Sequence, residues 1–144
     1  MSVKQVSILL ENKAGALVEI TSLLAKYNIN IRAISVSDTV NFGILRLIVD
    51  KPEQCVEALR KEDLTVSITD VIAAALNDKP GGLSAVVKLL ADNGMSLDYV
   101  YAYVSHATND ACVILRVGDN EFAEKILLEN GITLFDEEQV YRAD

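Results

Sequence analysis

Proline, aromatic residues and cysteine are all sparse in this sequence: it has two Pro, five Tyr, three Phe, two Cys and no Trp in 144 residues. So little proline excludes a Pro-rich disordered or collagen-like chain and leaves long segments free to take regular structure. Cys55 and Cys112 stand singly inside apolar segments with no second ligand nearby. They are expected to be reduced core residues of a cytoplasmic protein. A disulfide between them would need a proximity that sequence does not reveal. Basic residues are scarce as well, 13 Lys and Arg against 21 Asp and Glu for a formal net charge of −8. No stretch concentrates them, which excludes nucleic acid and anionic membranes as partners, because phosphate binding runs on clustered positive charge. Long apolar runs are missing. The longest, Val71 to Leu76, is far too short to cross a bilayer. The N-terminus, Met1-Ser2-Val3-Lys4, enters a strand pattern at once, with no signal-peptide core ahead of it.

What the sequence does have is hydrophobic content, 51% of residues, enough for a packed core. It also has an internal repeat, the feature to seek before any single motif. Leu23-Leu24-Ala25 recurs as Leu89-Leu90-Ala91, an offset of 66 that also places Lys13 on Lys79, Gly15 on Gly81, Leu17 on Leu83 and Ile31 on Leu97. Further on, Ile44-Leu45-Arg46 recurs as Ile114-Leu115-Arg116, now at 70. The added residues fall in the polar stretch Ser105 to Asp110, suited to a lengthened hairpin. The chain is a duplication, with one unit over 1–69 and another over 70–144. Units of about 70 residues bury proportionally little surface, so two of them are expected to lean on each other.

Each unit reads strand, helix, strand, strand, helix, strand. Val3 to Leu10 is β-rich, and Leu17, Ile20, Leu23 and Leu24 then lie on one helix face between Ala16 and Tyr27. Asn28 to Val36 and Phe42 to Val49 are strands around a turn at Asp38 to Asn41. Pro52 suits the first turn of a second helix, and Leu64 to Thr69 closes the unit. The second unit repeats this with strands at Asp70–Leu76, Leu97–Val104 and Ala111–Val117 and helices at Leu83–Asp92 and Asn120–Glu129. Its final strand falls within Ile132 to Tyr141. This order implies an α+β fold of two ferredoxin-like βαββαβ modules, each an antiparallel sheet with both helices on one face. No Gly-, Ser- or Pro-rich linker separates them, so strand four of the first is expected to run into strand one of the second near Thr69-Asp70.

The segment Asn12-Lys13-Ala14-Gly15-Ala16-Leu17 joins a strand end to a helix start. Free backbone N–H groups there, aided by the helix dipole, suit an anion such as a carboxylate. Gly15 removes a side chain where a ligand would approach the backbone. Asn12 could cap the helix or offer its amide to a ligand. The stretch Ile8-Leu9-Leu10-Glu11-Asn12-Lys13-Ala14-Gly15-Ala16-Leu17, followed by Asn28-Ile29-Asn30-Ile31, resembles the signature opening of ACT domains. It is especially similar to the regulatory subunit of acetolactate synthase, in which Pro usually stands at the position of Ala14. The second unit matches less faithfully, through Asn77-Asp78-Lys79-Pro80-Gly81-Gly82-Leu83 and Gly94-Met95-Ser96-Leu97, with Asp78 and Ser96 where Asn is usual. Because the last third of the chain is another ACT-like unit, the chain is not simply that subunit.

The resemblance implies modules paired edge to edge through their second strands, as one eight-stranded sheet. Effector amino acids would sit between the first loop of one module and the start of strand two in its neighbour. One site would then join Asn12, Lys13, Ala14, Gly15, Ala16 and Leu17 with Ser96 and Leu97. The other would join Asp78, Lys79, Pro80, Gly81, Gly82 and Leu83 with Asn30 and Ile31. A zwitterion needs N–H donors for its carboxylate, offered by the amides of Gly15, Ala16 and Leu17. It needs oxygen acceptors for its ammonium, offered by Asn12 and by carbonyls near Asn30 or Ser96. Asp78 would attract the ammonium but repel the carboxylate, or would simply cap its helix. The two sites are expected to be unequal.

Other candidates carry less. His106, the sole histidine, lies in a polar turn and lacks a companion ligand for a metal. Tyr99, Tyr101 and Tyr103 alternate on one face of a strand, for core or interface packing or as a pocket wall. Asp136-Glu137-Glu138 reads as a solvated turn. No phosphate loop, Ser-centred elbow, zinc spacing or dinucleotide fingerprint is present, so neither enzyme chemistry nor a cofactor or metal is expected. The expected function is that of a stand-alone sensor of a free L-amino acid whose occupancy changes its association with another protein. The alternative is a dedicated regulatory subunit of a biosynthetic enzyme such as acetolactate synthase. An acylphosphatase-like enzyme on the same fold would want an Arg in the first loop, where Glu11 to Leu17 holds only Lys13. A homodimer is also expected, to cover apolar sheet surface.

Overall fold

The computed structural model describes residues 2–38, 41–103 and 111–141. His106, the polar stretch at 105–110, and residues 39 and 40 of the first expected hairpin turn lie outside them. In chain order the elements are β1 (Val3–Glu11), α1 (Ala16–Lys26), β2 (Ile31–Asp38), β3 (Phe42–Val49), α2 (Pro52–Lys61) and β4 (Val66–Leu76). They continue as α3 (Gly82–Asp92), β5 (Leu97–Tyr103), β6 (Ala111–Val117), α4 (Asn120–Glu129), β7 (Leu134–Phe135) and α5 (Glu137–Tyr141). Lys4–Thr69 form one compact unit, and the segment from Asp70 onward forms another together with Ser2 and Val3. The expectation of eight strands is corrected to seven among the described residues. The closing strand of the first unit and the opening strand of the second are one uninterrupted element, β4, because nothing at Thr69-Asp70 breaks the extended backbone.

In the first module the sheet order is β2-β3-β1-β4, with β1 and β2 each antiparallel to β3. The period-two pattern of β1 buries Val6, Ile8 and Leu10 and leaves Leu9 and Glu11 exposed. Opposite them β3 buries Leu45, Leu47 and Val49, and pairs Leu9 with Ile44 and Glu11 with Phe42. Helix α1 buries Ala16, Ile20 and Leu24, four residues apart, and α2 buries Cys55, Val56 and Leu59 into the same cluster. Each buried Leu or Ile contributes about 1.5–3 kcal/mol, so this face accounts for the helices' docking.

The second module has the order β5-β6-β4-β7, with β4 antiparallel to both β6 and β7. Its core gathers Ile72, Leu76, Val86, Leu90, Leu115, Val117, Leu127 and Leu134. The three tyrosines share one face, and the rings of Tyr99 and Tyr101 stack with centroids 6.4 Å apart. Asp136-Glu137-Glu138 is not a plain turn. Asp136 and Gln139 exchange reciprocal side-chain to backbone bonds of 2.9 Å, a capping box that starts α5. Both cysteines are free and buried.

All four long helices end alike. Asn28, Asp63, Gly94 and Gly131 take positive φ of 59°, 59°, 75° and 78°. The N–H of the next residue (Ile29, Leu64, Met95 or Ile132) reaches back to Leu24, Leu59, Leu90 or Leu127 at 2.9–3.3 Å. This is the Schellman ending, and the residue after each left-handed position is apolar and turns inward. No helix among the described residues is long and apolar enough to cross a membrane.

Candidate functional site

The loop that joins β1 to α1 is built around Gly15, the N-cap residue, at φ 88° and ψ −13°. Lys13 donates its N–H to Glu11 O at 2.9 Å, Ala16 donates to Lys13 O at 3.3 Å, and Gly15 O accepts from Glu19 at 3.0 Å. Among the described residues no hydrogen bond takes up the amides of Gly15, Leu17 and Val18. Three donors at the positive end of the helix dipole are therefore available to an anion. Of the amides expected to serve, that of Ala16 is already bonded within the loop. The second module repeats the arrangement. Gly81 caps α3 at φ 89°, Lys79 donates to Asn77 O at 2.9 Å, Gly82 donates to Lys79 O at 3.0 Å, and the amides of Gly81, Leu83 and Ser84 stay unbonded among the described residues.

Neither Asn12 nor Asp78 caps its helix, since each lies three residues before a glycine cap that receives no side-chain bond. Asn12 instead donates its N–H to Asn41 O at 3.2 Å, tying the loop to the start of β3. A β-carbon on Gly15 or Gly81 would meet nothing within 4 Å. Glycine serves there first through its positive φ, which a side chain disfavours by about 1–2 kcal/mol.

Beside each loop lies a cleft. The first, of about 580 Å³, opens between α1, the C-terminal end of β1 and the segment Glu62–Thr65 that leads from α2 into β4. Its floor is apolar, from Leu10, Ala16 and Ile20 of the core with the half-buried Leu23 and Leu64. Its rim carries Glu11, Glu19, Glu62 and Asp63 against one base, Lys13, whose Nζ lies 3.2 Å from Glu11 Oε2. Leu9 and Phe42 stand at the mouth, 45% exposed each. The second cleft, of about 330 Å³, occupies the same place between α3, the end of β4 and Gly131–Thr133. Asn77, Lys79, Pro80, Gly81 and Gly82 line it together with Leu76, Ala85 and Val86.

Of the residues expected to bind a ligand, Lys13 and Ala16 line the first cleft, and Lys79, Pro80, Gly81 and Gly82 line the second. Asn12, Ala14, Gly15, Leu17, Asp78 and Leu83 belong to the same loops and helix starts without lining either cavity. Asn30, Ile31, Ser96 and Leu97 lie at the far end of their own modules. Ile31 pairs with Val49 and Leu97 with Val117, whereas the first loops adjoin Phe42 and Ala111 at the other end. The carbonyl of Asn30 already accepts from the Asp50 N–H at 3.1 Å. Sequence reasoning missed Glu62–Thr65 and Gly131–Thr133. Their signal was present as a second repeat, since Asp63-Leu64-Thr65 and Gly131-Ile132-Thr133 share a left-handed residue, an aliphatic and a threonine. Among the described residues no group of three or more His, Cys, Asp and Glu is placed to hold a metal.

Two βαββαβ modules, each with a glycine-capped first helix beside a cleft, define the class of fold to which the chain belongs. A family model described as an ACT domain pair matches residues 1–143, and the chain belongs to that family. The crystal structure of protein BT0572 from Bacteroides thetaiotaomicron is similar over 99% of this chain and 98% of its own, with 36% identity and a TM-score of 0.92. The ligand-free regulatory subunit of aspartate kinase from Thermus thermophilus shares the fold at 14% identity and a TM-score of 0.63, covering 87% of each chain. E. coli aspartokinase III, crystallised with lysine and aspartate, shares it at 18% identity and a TM-score of 0.53, over 90% of this chain and 30% of that one. No curated protein matches the sequence.

Proposed function

We propose that this chain binds a free amino acid and signals its occupancy to another protein. The observation that carries the reading is the doubled site: in each module a left-handed glycine leaves three helix-start amides unspent beside a cleft. A carboxylate is the natural partner of such donors, and the apolar floor receives a side chain. Shared fold with a regulatory subunit of aspartate kinase, and with an aspartokinase crystallised with lysine, is consistent with a role beside an enzyme and not as one. The first loop holds no Arg for an acyl phosphate, which tells against an acylphosphatase. On this reading the protein is cytoplasmic, in keeping with two free buried thiols, and pairs with a second copy through exposed apolar surface outside the clefts.

A thermal-shift screen of the twenty amino acids tests the proposal, because a ligand specific for the native state raises stability by mass action. At least one should raise the melting temperature. A flat response to all twenty would remove the reading. Co-purification with a metabolic enzyme in the absence of ligand would favour a permanently bound subunit over a free sensor.

A further inference from the structure

The two clefts share a frame but not a lining. At the offset of 66, Leu10, Lys13 and Ile20 of the first correspond to Leu76, Lys79 and Val86 of the second, and Thr65 corresponds to Thr133 at 68. Floor, base and hydroxyl are therefore retained. What differs is every carboxylate. Glu11 is matched by Asn77, Glu19 by Ala85 and Asp63 by Gly131, so the second cleft has no acid in its lining and the first has four. Lys13 is engaged with Glu11, which leaves the rim of the larger cleft net negative above an apolar floor.

An α-amino acid carries one ammonium, and holding it takes an anionic or oxygen acceptor beside the surface that receives the side chain. Only the first cleft sets carboxylates beside that surface, whereas the second offers neutral oxygens such as those of Asn77 and Thr133. The first cleft's volume, about 580 Å³, lies within the range of small-molecule sites, whereas about 330 Å³ stands at the lower bound. We infer, building on the amino-acid reading above, that the first module's cleft is the working site. It takes one amino acid with an aliphatic side chain per chain, and the second module's cleft binds none. The ammonium lies against Glu11, Glu19 and Asp63, the side chain rests on Ile20, Leu23 and Leu64, and amino acids with acidic side chains are turned away by the rim.

Isothermal titration of the full chain with leucine, valine, lysine and aspartate gives the test. One equivalent of leucine or valine should bind, with aspartate giving no heat. Glu19→Gln and Asp63→Asn should each weaken binding by about ten-fold or more, the scale of a lost charge-assisted hydrogen bond. Ala85→Phe, which fills the second cleft, should leave affinity and stoichiometry unchanged, and circular dichroism checks that each variant folds. Two equivalents per chain, preference for lysine or aspartate, or binding that survives both charge removals would overturn this inference while amino-acid binding itself stood. Failure of every amino acid to bind the unaltered chain would instead overturn the proposed function.

Discussion

Gly82 sits so close to the carbonyl of Asn77 that no β-carbon fits between them, while the matching position of the first module, Ala16, carries a buried methyl in the floor of the larger cleft. The chain thus approaches the helix start more tightly in the second loop than in the first, although both leave helix-start amides unbonded among the described residues.

Gly82→Ala should consequently destabilise the protein by about 1–3 kcal/mol, the usual cost of forcing a methyl group into filled space. For a chain of this length each kcal/mol lowers the melting temperature by roughly 2–4 °C. Gly118→Ala is the control, since its β-carbon meets nothing within 4 Å. It should leave the melting temperature unchanged. Equal melting temperatures for the two variants would show that the Asn77 carbonyl yields.

Gly15→Leu should fold, because the space around Gly15 is open, yet lose stability through its positive φ by about 1–2 kcal/mol. The same substitution puts a bulky side chain at the helix-start amides. Any thermal shift caused by an amino acid should disappear. A variant that melts lower but retains the full ligand response would show that these amides play no part in binding.

Asp63 holds a left-handed conformation at φ 59°, where the second module places Gly131. Asp63→Gly should relieve that strain and raise the melting temperature without ligand, by the equivalent of several tenths to about 1 kcal/mol. Ligand response should fall at the same time. Stability and binding moving in opposite directions is the outcome to check by scanning with and without leucine.

Burial, with a smaller contribution from Asp50, pushes the Cys55 thiol from 9.0 up to about 12. The native thiol therefore keeps its proton where the unfolded one has lost it. The unfolded state binds fewer protons above about pH 9, so stability falls as pH rises from there toward 12, by about 1.4 kcal/mol per unit. Comparing melting temperatures of the unaltered chain and Cys55→Ala between pH 8 and 11 isolates this slope from that of tyrosines and lysines. Near neutral pH the native thiol should react with a disulfide reagent only as fast as the protein opens.

Much of the architecture was legible one residue at a time. The limits of β3, β6 and α4 follow from periodicity and flanking turn residues, and Pro52 marks the start of α2. Those signals come from neighbours in the chain, so they survive without knowledge of the fold. Helix caps were less legible. Asn12 and Asp78 have the chemistry of caps, but the left-handed turn at Gly15 and Gly81 moves the helix start three residues on.

From its sequence alone the protein was determined to be a duplication of a βαββαβ unit, with a glycine at each first helix and an acidic, apolar-rich composition. These properties reside in order and spacing, which local sterics and hydrophobic period convert directly into structure. Tertiary packing brought Leu64 and Asp63 beside Leu10 and Glu19 to make a cleft. It also decided which copy kept its carboxylates around open space. A cavity depends on segments some fifty residues apart meeting at a distance set by side-chain volume, and no stretch of sequence carries that distance.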